Sequence, residues 1–192
     1  MKHPPILETE RLRLRPFEIS DSVRVMSLAG NLEVYRTTLN VPHPYEEGMA
    51  EKWISSHSLQ FYNGNGVTLA ITLQSDGLLI GAIGLGITKQ HHRGELGYWI
   101  GVDFWRQGYC AETAIKMIEY GFKELKLHKI TSRHFECNPA SGRVMVKAGM
   151  VKEGKHIDEF FKDGRFHSDI VYGIVNSEQT HAPDAQLRAD DA

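Results

Sequence analysis

The residues best suited to chemistry lie where the stretch DFWRQGYCAETA passes from a loop into a helix. Arg106, Gln107 and Gly108 run directly into a helical pattern. Ala111, Ala114, Ile115, Ile118, Phe122 and Leu125 form one face, and Glu112, Lys116, Glu119, Lys123 and Lys126 form the other. The first amides of such a helix have no acceptor within it, and a glycine at 108 lets the backbone approach an oxyanion closely. The stretch can therefore cradle a phosphate or diphosphate. Ordinary strand-to-helix turns also carry short glycine motifs, and taken alone this one fits that reading equally well.

Composition narrows the partners. With 192 residues, 41% of them hydrophobic, the chain can bury one core and is short for two domains. The formal net charge is -2 and no block of like charges occurs. Nucleic acid and an anionic membrane surface are thus not expected, and a small-molecule or peptide partner is. There are ten histidines, but no HExxH and no paired Cys/His spacing, so no metal is expected. Cys110 and Cys137 lie far apart without a CxxC, which fits a reducing compartment. The opening MKHPPILETERLRLRP has no apolar core, and no run approaches the roughly 18 apolar residues of a spanning helix. A cytoplasmic protein is expected.

The elements that must position the loop follow from periodicity. Arg11 to Pro16 alternates Leu12 and Leu14 with arginines and reads as a strand. A helix capped by Ser20 or Asp21 runs to Ala29 and stops at Gly30. Asn31 to Pro44 reads as irregular, and a second helix spans about Tyr45 to Phe61. Val67 to Leu73 and Leu79 to Ile87 are strands joined by Ser75-Asp76-Gly77. The second keeps one face small with Ala82, Gly84 and Gly86. Glu95 to Val102 is the next strand, with Glu95, Gly97, Trp99 and Gly101 on one side and Leu96, Tyr98, Ile100 and Val102 on the other. After the loop and its helix, Lys129 to Cys137 should lie parallel to that strand, because a helical crossover joins them. Asn138, Pro139 and Gly149 suit the N-cap, first residue and stop of a short helix. Val151 to Phe161 and Arg165 to Val175 flank Lys162-Asp163-Gly164 as a hairpin. Residues 1–176 make one domain, and 177–192 read as a disordered tail.

This order of elements resembles the GNAT acyltransferase superfamily. More narrowly, LETERLRLRP, ELGYWI, FWRQGYCAETA and NPASGRVMVKAGM resemble the branch containing the ribosomal-protein N-terminal alanine acetyltransferases. The resemblance spans about Leu7 to Val175. It implies a mixed α/β fold, with a mostly antiparallel twisted sheet splayed between the fourth and fifth strands, helices on both faces and a C-terminal β-hairpin. The family's diphosphate loop reads Gln or Arg, two residues, Gly, one residue, Gly or Ala. With its central glycine on Gly108, Trp105 and Cys110 occupy the first and last positions and depart from the strict pattern.

The resemblance further implies acetyl-CoA as donor and direct acetyl transfer to an amine. Its diphosphate would meet the amides of Gln107, Gly108, Tyr109, Cys110 and Ala111, and its pantetheine arm the backbone of Trp99, Ile100, Gly101 and Val102. An amide near Ile100 would stabilise the oxyanion. Glu95 is the leading base, with burial beside Trp99 expected to make it a better proton acceptor, while a solvated, inert carboxylate is the alternative. Glu112, Glu136 and Tyr172 fit less well. In the Asn-x-x-Ser motif, Asn138 would contact pantetheine and Ser141 would protonate the leaving sulfur; both residues also have plain helix-start readings. Cys137 reads as a small buried thiol. The acceptor implied is a protein N-terminal α-amine, with polyamines and aminoglycosides as alternatives, and Glu33, Glu46, Glu47 and Glu51 could favour a cationic one. A non-catalytic CoA-binding module is the competing class, and exposed strand edges are compatible with a homodimer.

Overall fold

A computed structural model describes residues 3–177. The expected tail lies outside the described residues apart from Ser177. One eight-stranded sheet runs through the molecule in the order β1-β2-β3-β4-β5-β6-β8-β7. Its strands are β1 (Leu7–Glu8), β2 (Leu12–Arg15), β3 (Gly66–Leu73), β4 (Leu79–Thr88), β5 (Arg93–Ile100), β6 (Lys129–Phe135), β7 (Val151–Lys162) and β8 (Arg165–Val175). The helices are α1 (Ser22–Ala29), α2 (Leu32–Thr37), α3 (Met49–Tyr62), α4 (Tyr109–Lys123) and α5 (Pro139–Lys147). All neighbouring strands are antiparallel except β5 and β6, the pair joined by the α4 crossover.

The strand alternation sorts side chains into two cores. Leu12, Leu14, Leu69, Ile71, Ile83, Leu85, Leu96 and Ile130 pack with Ala114, Met117 and Met145 of α4 and α5. Ala70 and Leu79 pack with Val25, Leu28 and Ile54 of α1 and α3. Helices thus cover both faces, as the resemblance implies.

Several local expectations needed correction. The stretch after Gly30 is not irregular throughout: α2 forms there because the Asn31 side chain accepts the Glu33 amide at 2.9 Å. Asp21 does not cap α1 with its side chain. It turns back to Arg15, at 2.7 and 2.8 Å, and to the Glu18 amide. The second helix begins four residues late, at Met49 after Gly48. The buried face of α4 is rotated, with Met117 and Gly121 inside and Ile115 half exposed. Gly121 is inside because the helix lies close to the sheet; a Cβ there would stand 2.7 Å from the Ile130 side chain and 3.1 Å from Leu85.

Gly121→Val should therefore overpack the α4–sheet contact and lower stability by about 1–3 kcal/mol. Thermal melting would show it as a transition several degrees below the wild type.

Candidate active site

Strands β5 and β6, the fourth and fifth strands of the sequence reading once the two-residue β1 is left out, pair over only three positions, Arg93 with Lys129, Gly94 with Ile130 and Glu95 with Thr131. Beyond them the strands diverge, and the Ser132 hydroxyl donates to the Leu96 carbonyl at 2.8 Å in place of a backbone partner. On the other side of β5, Gly101 N–H donates to Ile80 C=O and Ile100 lies opposite Gly81. Antiparallel alternation then turns the N–H and C=O groups of Tyr98 and Ile100 toward the gap. This is the open edge that an extended amide-bearing chain could join. Gly101 and Val102 lie beyond the strand, and the Gly101 amide is taken by β4.

Beyond the C-terminal ends of β5 and β6, α4 and α5 begin. Gly108 precedes α4 with φ +85°, and Arg106 is left-handed at φ +63°. The amides of Ala111 and Glu112 both donate to the Gly108 carbonyl, so those of Gly108, Tyr109 and Cys110 precede the first intrahelical donor. A side chain at Gly108 would meet only Arg11, at 3.5 Å, which leaves room for a diphosphate. Two residues hold the loop. The Trp105 indole donates to Ile100 C=O at 2.7 Å, so this departure from the family pattern fastens the loop to β5. Arg11 donates to the Gln107 carbonyl at 3.0 Å and to Glu112 at 2.8 Å, and lies over the Tyr109 ring. Glu112 also accepts from Thr9 at 2.5 Å.

At the start of α5, Asn138 accepts the Ser141 amide and its own amide nitrogen donates to Thr37 C=O, both at 3.4 Å. The Ser141 hydroxyl is 2.8 Å from the Tyr98 hydroxyl. Burial pushes the Tyr98 phenol well above its ordinary pKa, with the Ser141 contact opposing. It stays protonated at neutral pH. Cys110 is also held as a thiol, burial pushing it up to about 12. Cys137 is exposed rather than buried.

Glu95 opens onto the other side of the gap, into a cavity of about 690 Å³ that it lines with Gly97, Trp99 and Arg133. The burial expected of it is absent. Its side chain is 45% exposed and 3.2 Å from Arg133, while Trp99 leans toward Trp53 of α3. Glu33 pairs with Arg36 on the surface, the ordinary fate of a helix charge.

The acetyltransferase (GNAT) domain family matches residues 11–151. The chain belongs to this family. The uncharacterized N-acetyltransferase YoaA of Bacillus subtilis is 31% identical over 176 residues, covering 91% of this chain and 99% of that one. The fold matches a ribosomal L7/L12 alpha-N-protein acetyltransferase solved with coenzyme A, with a TM-score of 0.82 at 16% identity, over 89% of this chain and 98% of that one. It also matches a spermidine N-acetyltransferase chimera from Vibrio cholerae and hSSAT, with a TM-score of 0.74 at 23% identity, over 87% of this chain and 96% of that one. The protein is thus an acetyl-CoA-dependent N-acetyltransferase of the GNAT type.

Sequence reasoning did not single out four side chains that border the α4 loop, the gap or its cavity: Arg11, Tyr98, Arg133 and Asp169. Arg133 and Asp169 did carry a signal, being charges inside otherwise strand-like runs. Arg11 and Tyr98 looked like ordinary strand residues. Among the described residues, no three His, Cys, Asp or Glu side chains converge to hold a metal ion.

Glu112 ties the loop to the N-terminal strands, and its ionisation is linked to that tie. Burial pushes its carboxyl up, but the hydrogen bonds from Thr9 and Arg11 outweigh this and hold it below the ordinary 4.5. Its contribution is therefore present above that value and lost as the pH falls through the depressed one. Glu112→Gln should be less stable than wild type at pH 7 by about 1–2 kcal/mol. In thermal melts the difference should shrink as the pH drops below 4.5.

Proposed function

We propose that this acetyltransferase acts on a primary amine at the start of a polypeptide, the α-amine of a protein N-terminus. The observation that carries the reading is the gap between β5 and β6. It joins the α4 amides on one side to a broad, acid-bearing cavity on the other. That cavity is framed by Thr37–Val41 and the β7–β8 hairpin and has room for an extended chain end. The fold shared with the alpha-N-protein acetyltransferase is consistent with this acceptor.

Acetyl-CoA supplies the acetyl thioester. The amides of Gln107 to Cys110 would hold its diphosphate, that of Ala111, expected to join them, being engaged by the Gly108 carbonyl; Arg11 would add positive charge beside them. The turned-out backbone of Tyr98 and Ile100 would take the pantetheine amides, with Asn138 on the facing side. Among the residues expected to line the arm, Trp99, Gly101 and Val102 would serve as wall and turn, since the groups directed into the gap are those of their neighbours. Of these groups, the Ile100 N–H would serve the acyl oxygen as negative charge develops there, leaving those of Tyr98 for the arm. Glu95, open to the acceptor cavity, would take the ammonium proton directly or through water. Ser141, held by its contact with the Tyr98 hydroxyl, would return a proton to sulfur and regain one from water. No covalent enzyme intermediate is needed.

A second reading, a small cationic amine such as a polyamine, is favoured by the carboxylates of Glu95 and Asp169 on the cavity wall. An acetyl-CoA consumption assay against N-terminal peptides, polyamines and aminoglycosides separates the two, and the peptides are expected to turn over fastest. Turnover of polyamines alone would reverse the assignment.

Glu95→Gln should lower kcat/KM at least severalfold with CoA affinity unchanged, and Ser141→Ala should lower kcat with little change in the KM for acetyl-CoA. A pH–rate profile identical between wild type and Glu95→Gln would remove Glu95 from the role of base.

A further inference from the structure

Asp169 lies on β8 between Phe135 of β6 and His156 of β7. Strand alternation places it on the same face as Arg133 and Glu95. Its side chain is only 1% exposed and lines the cavity, yet neither carboxylate oxygen accepts a hydrogen bond. Arg133 stands 3.5 Å away and His156 3.0 Å away, within reach of its charge but out of line for hydrogen bonding. A buried carboxylate in this condition is costly, because the donors it had in water have not been replaced.

The surroundings sharpen the point. Arg133 is shared among Asp169, Glu95 at 3.2 Å and Glu159 at 3.9 Å. Three carboxylates thus share one guanidinium, with the His156 imidazole beside Asp169 as the other cationic partner when protonated. Glu159 reaches the group because β7 bulges: its register against β8 shifts between His156 and Phe160, and Asp158 adopts a left-handed φ of +52°. The Ser168 hydroxyl accepts the Asp158 amide at 3.1 Å and fixes the bulge. β-bulges recur beside binding sites, where they re-aim a side chain; this one brings Glu159 to Arg133 of the cavity wall.

We propose that Asp169, with Glu159 and Glu95, forms the seat for a primary ammonium group of the acceptor. The inference rests on the reading of this face as the acceptor side. An ammonium offers three donors and no acceptor, which matches a carboxylate without hydrogen bonds beside an overshared guanidinium. The rings of Phe135 and Phe160, 6.2 Å apart, flank the seat and limit its exposure to water, which strengthens the attraction. The ammonium can belong to a peptide N-terminus or to a polyamine, since the recess recognises the charge and its donors.

Calorimetry on the CoA-saturated protein tests the proposal. The probes are spermidine, a short peptide beginning with alanine, and the same peptide with its N-terminus acetylated. For whichever free amine binds the wild type, Asp169→Asn should raise Kd about tenfold or more, as expected for losing a hydrogen-bonded charge. Glu159→Gln should raise it severalfold, and both variants should keep CoA affinity within about twofold. The blocked peptide should bind wild type and variants alike. Unchanged amine binding in an Asp169→Asn protein that still holds CoA overturns the proposal and leaves the acetyltransferase reading of the face intact. So does equal weakening of the blocked peptide, or no amine binding to the CoA-loaded wild type. Failure of the wild type to bind CoA would overturn the reading and the proposal together. Should Asp169→Asn fail to fold, Glu159→Gln decides, since its 42% exposed side chain carries little of the core.

Discussion

Strands β5 and β6 hydrogen-bond only as far as Glu95 and Thr131, and the active face depends on the pairing that is then given up. A parallel pair inside a sheet would ordinarily continue, because unpaired backbone groups in a protein interior are costly. Here the divergence is held by substitutes. The Ser132 hydroxyl satisfies Leu96, the Trp105 indole satisfies Ile100, and the Tyr98 phenol reaches across to Ser141 on α5. Each substitute is a side chain from an element that also borders the active site. The backbone that stays turned toward the gap is thereby confined to a short stretch of β5.

Two electrostatic arrangements of opposite character follow from this opening. At the α4 end, the helix amides and Arg11 present positive charge, with Glu112 neutralising part of it and tying the loop down through Arg11 and Thr9. On the cavity side, Glu95, Glu159 and Asp169 surround Arg133. A thioester donor with an anionic diphosphate and an acceptor carrying an ammonium would thus approach from surfaces of complementary sign and meet at the gap. Field of this kind speeds encounter and orients both partners.

Much of this could be read from the residues alone, and the reasons differ by element. The alternation of Leu12 and Leu14, the small face of β4, the two sides of β5 and the Asp163-Gly164 turn are local patterns with one good solution each, and all appear in the structure. The α4 loop was legible as a loop-to-helix junction because Gly108 stands just before the amphipathic pattern, and the structure gives it a φ of +85° there. Errors arose where a distant partner decided the outcome. Asp21 left its expected capping role for Arg15, Ile115 lost its place to Met117 and Gly121 when α4 settled against the sheet, and Glu95 was met by Arg133 instead of being buried. Asp169 and Glu159 depend on the β7 bulge, which no short-range pattern announces.

Helix α2 and the residues just after it show why the cover of the cavity is harder to read than the α4 loop. The carbonyl of Thr37 accepts from Asn138, and those of Tyr35 and Thr38 accept from Lys162 at the hairpin turn. The Tyr35 hydroxyl in turn bonds to Asp163. The cover over the cavity is therefore held by single polar side chains more than a hundred residues away in sequence. In the function proposed above, donor recognition would fall to backbone amides, which tolerate varied side chains and leave a spacing pattern behind. Acceptor recognition would fall to side chains brought together by the third dimension, and their grouping appears only when β6, β7 and β8 lie side by side.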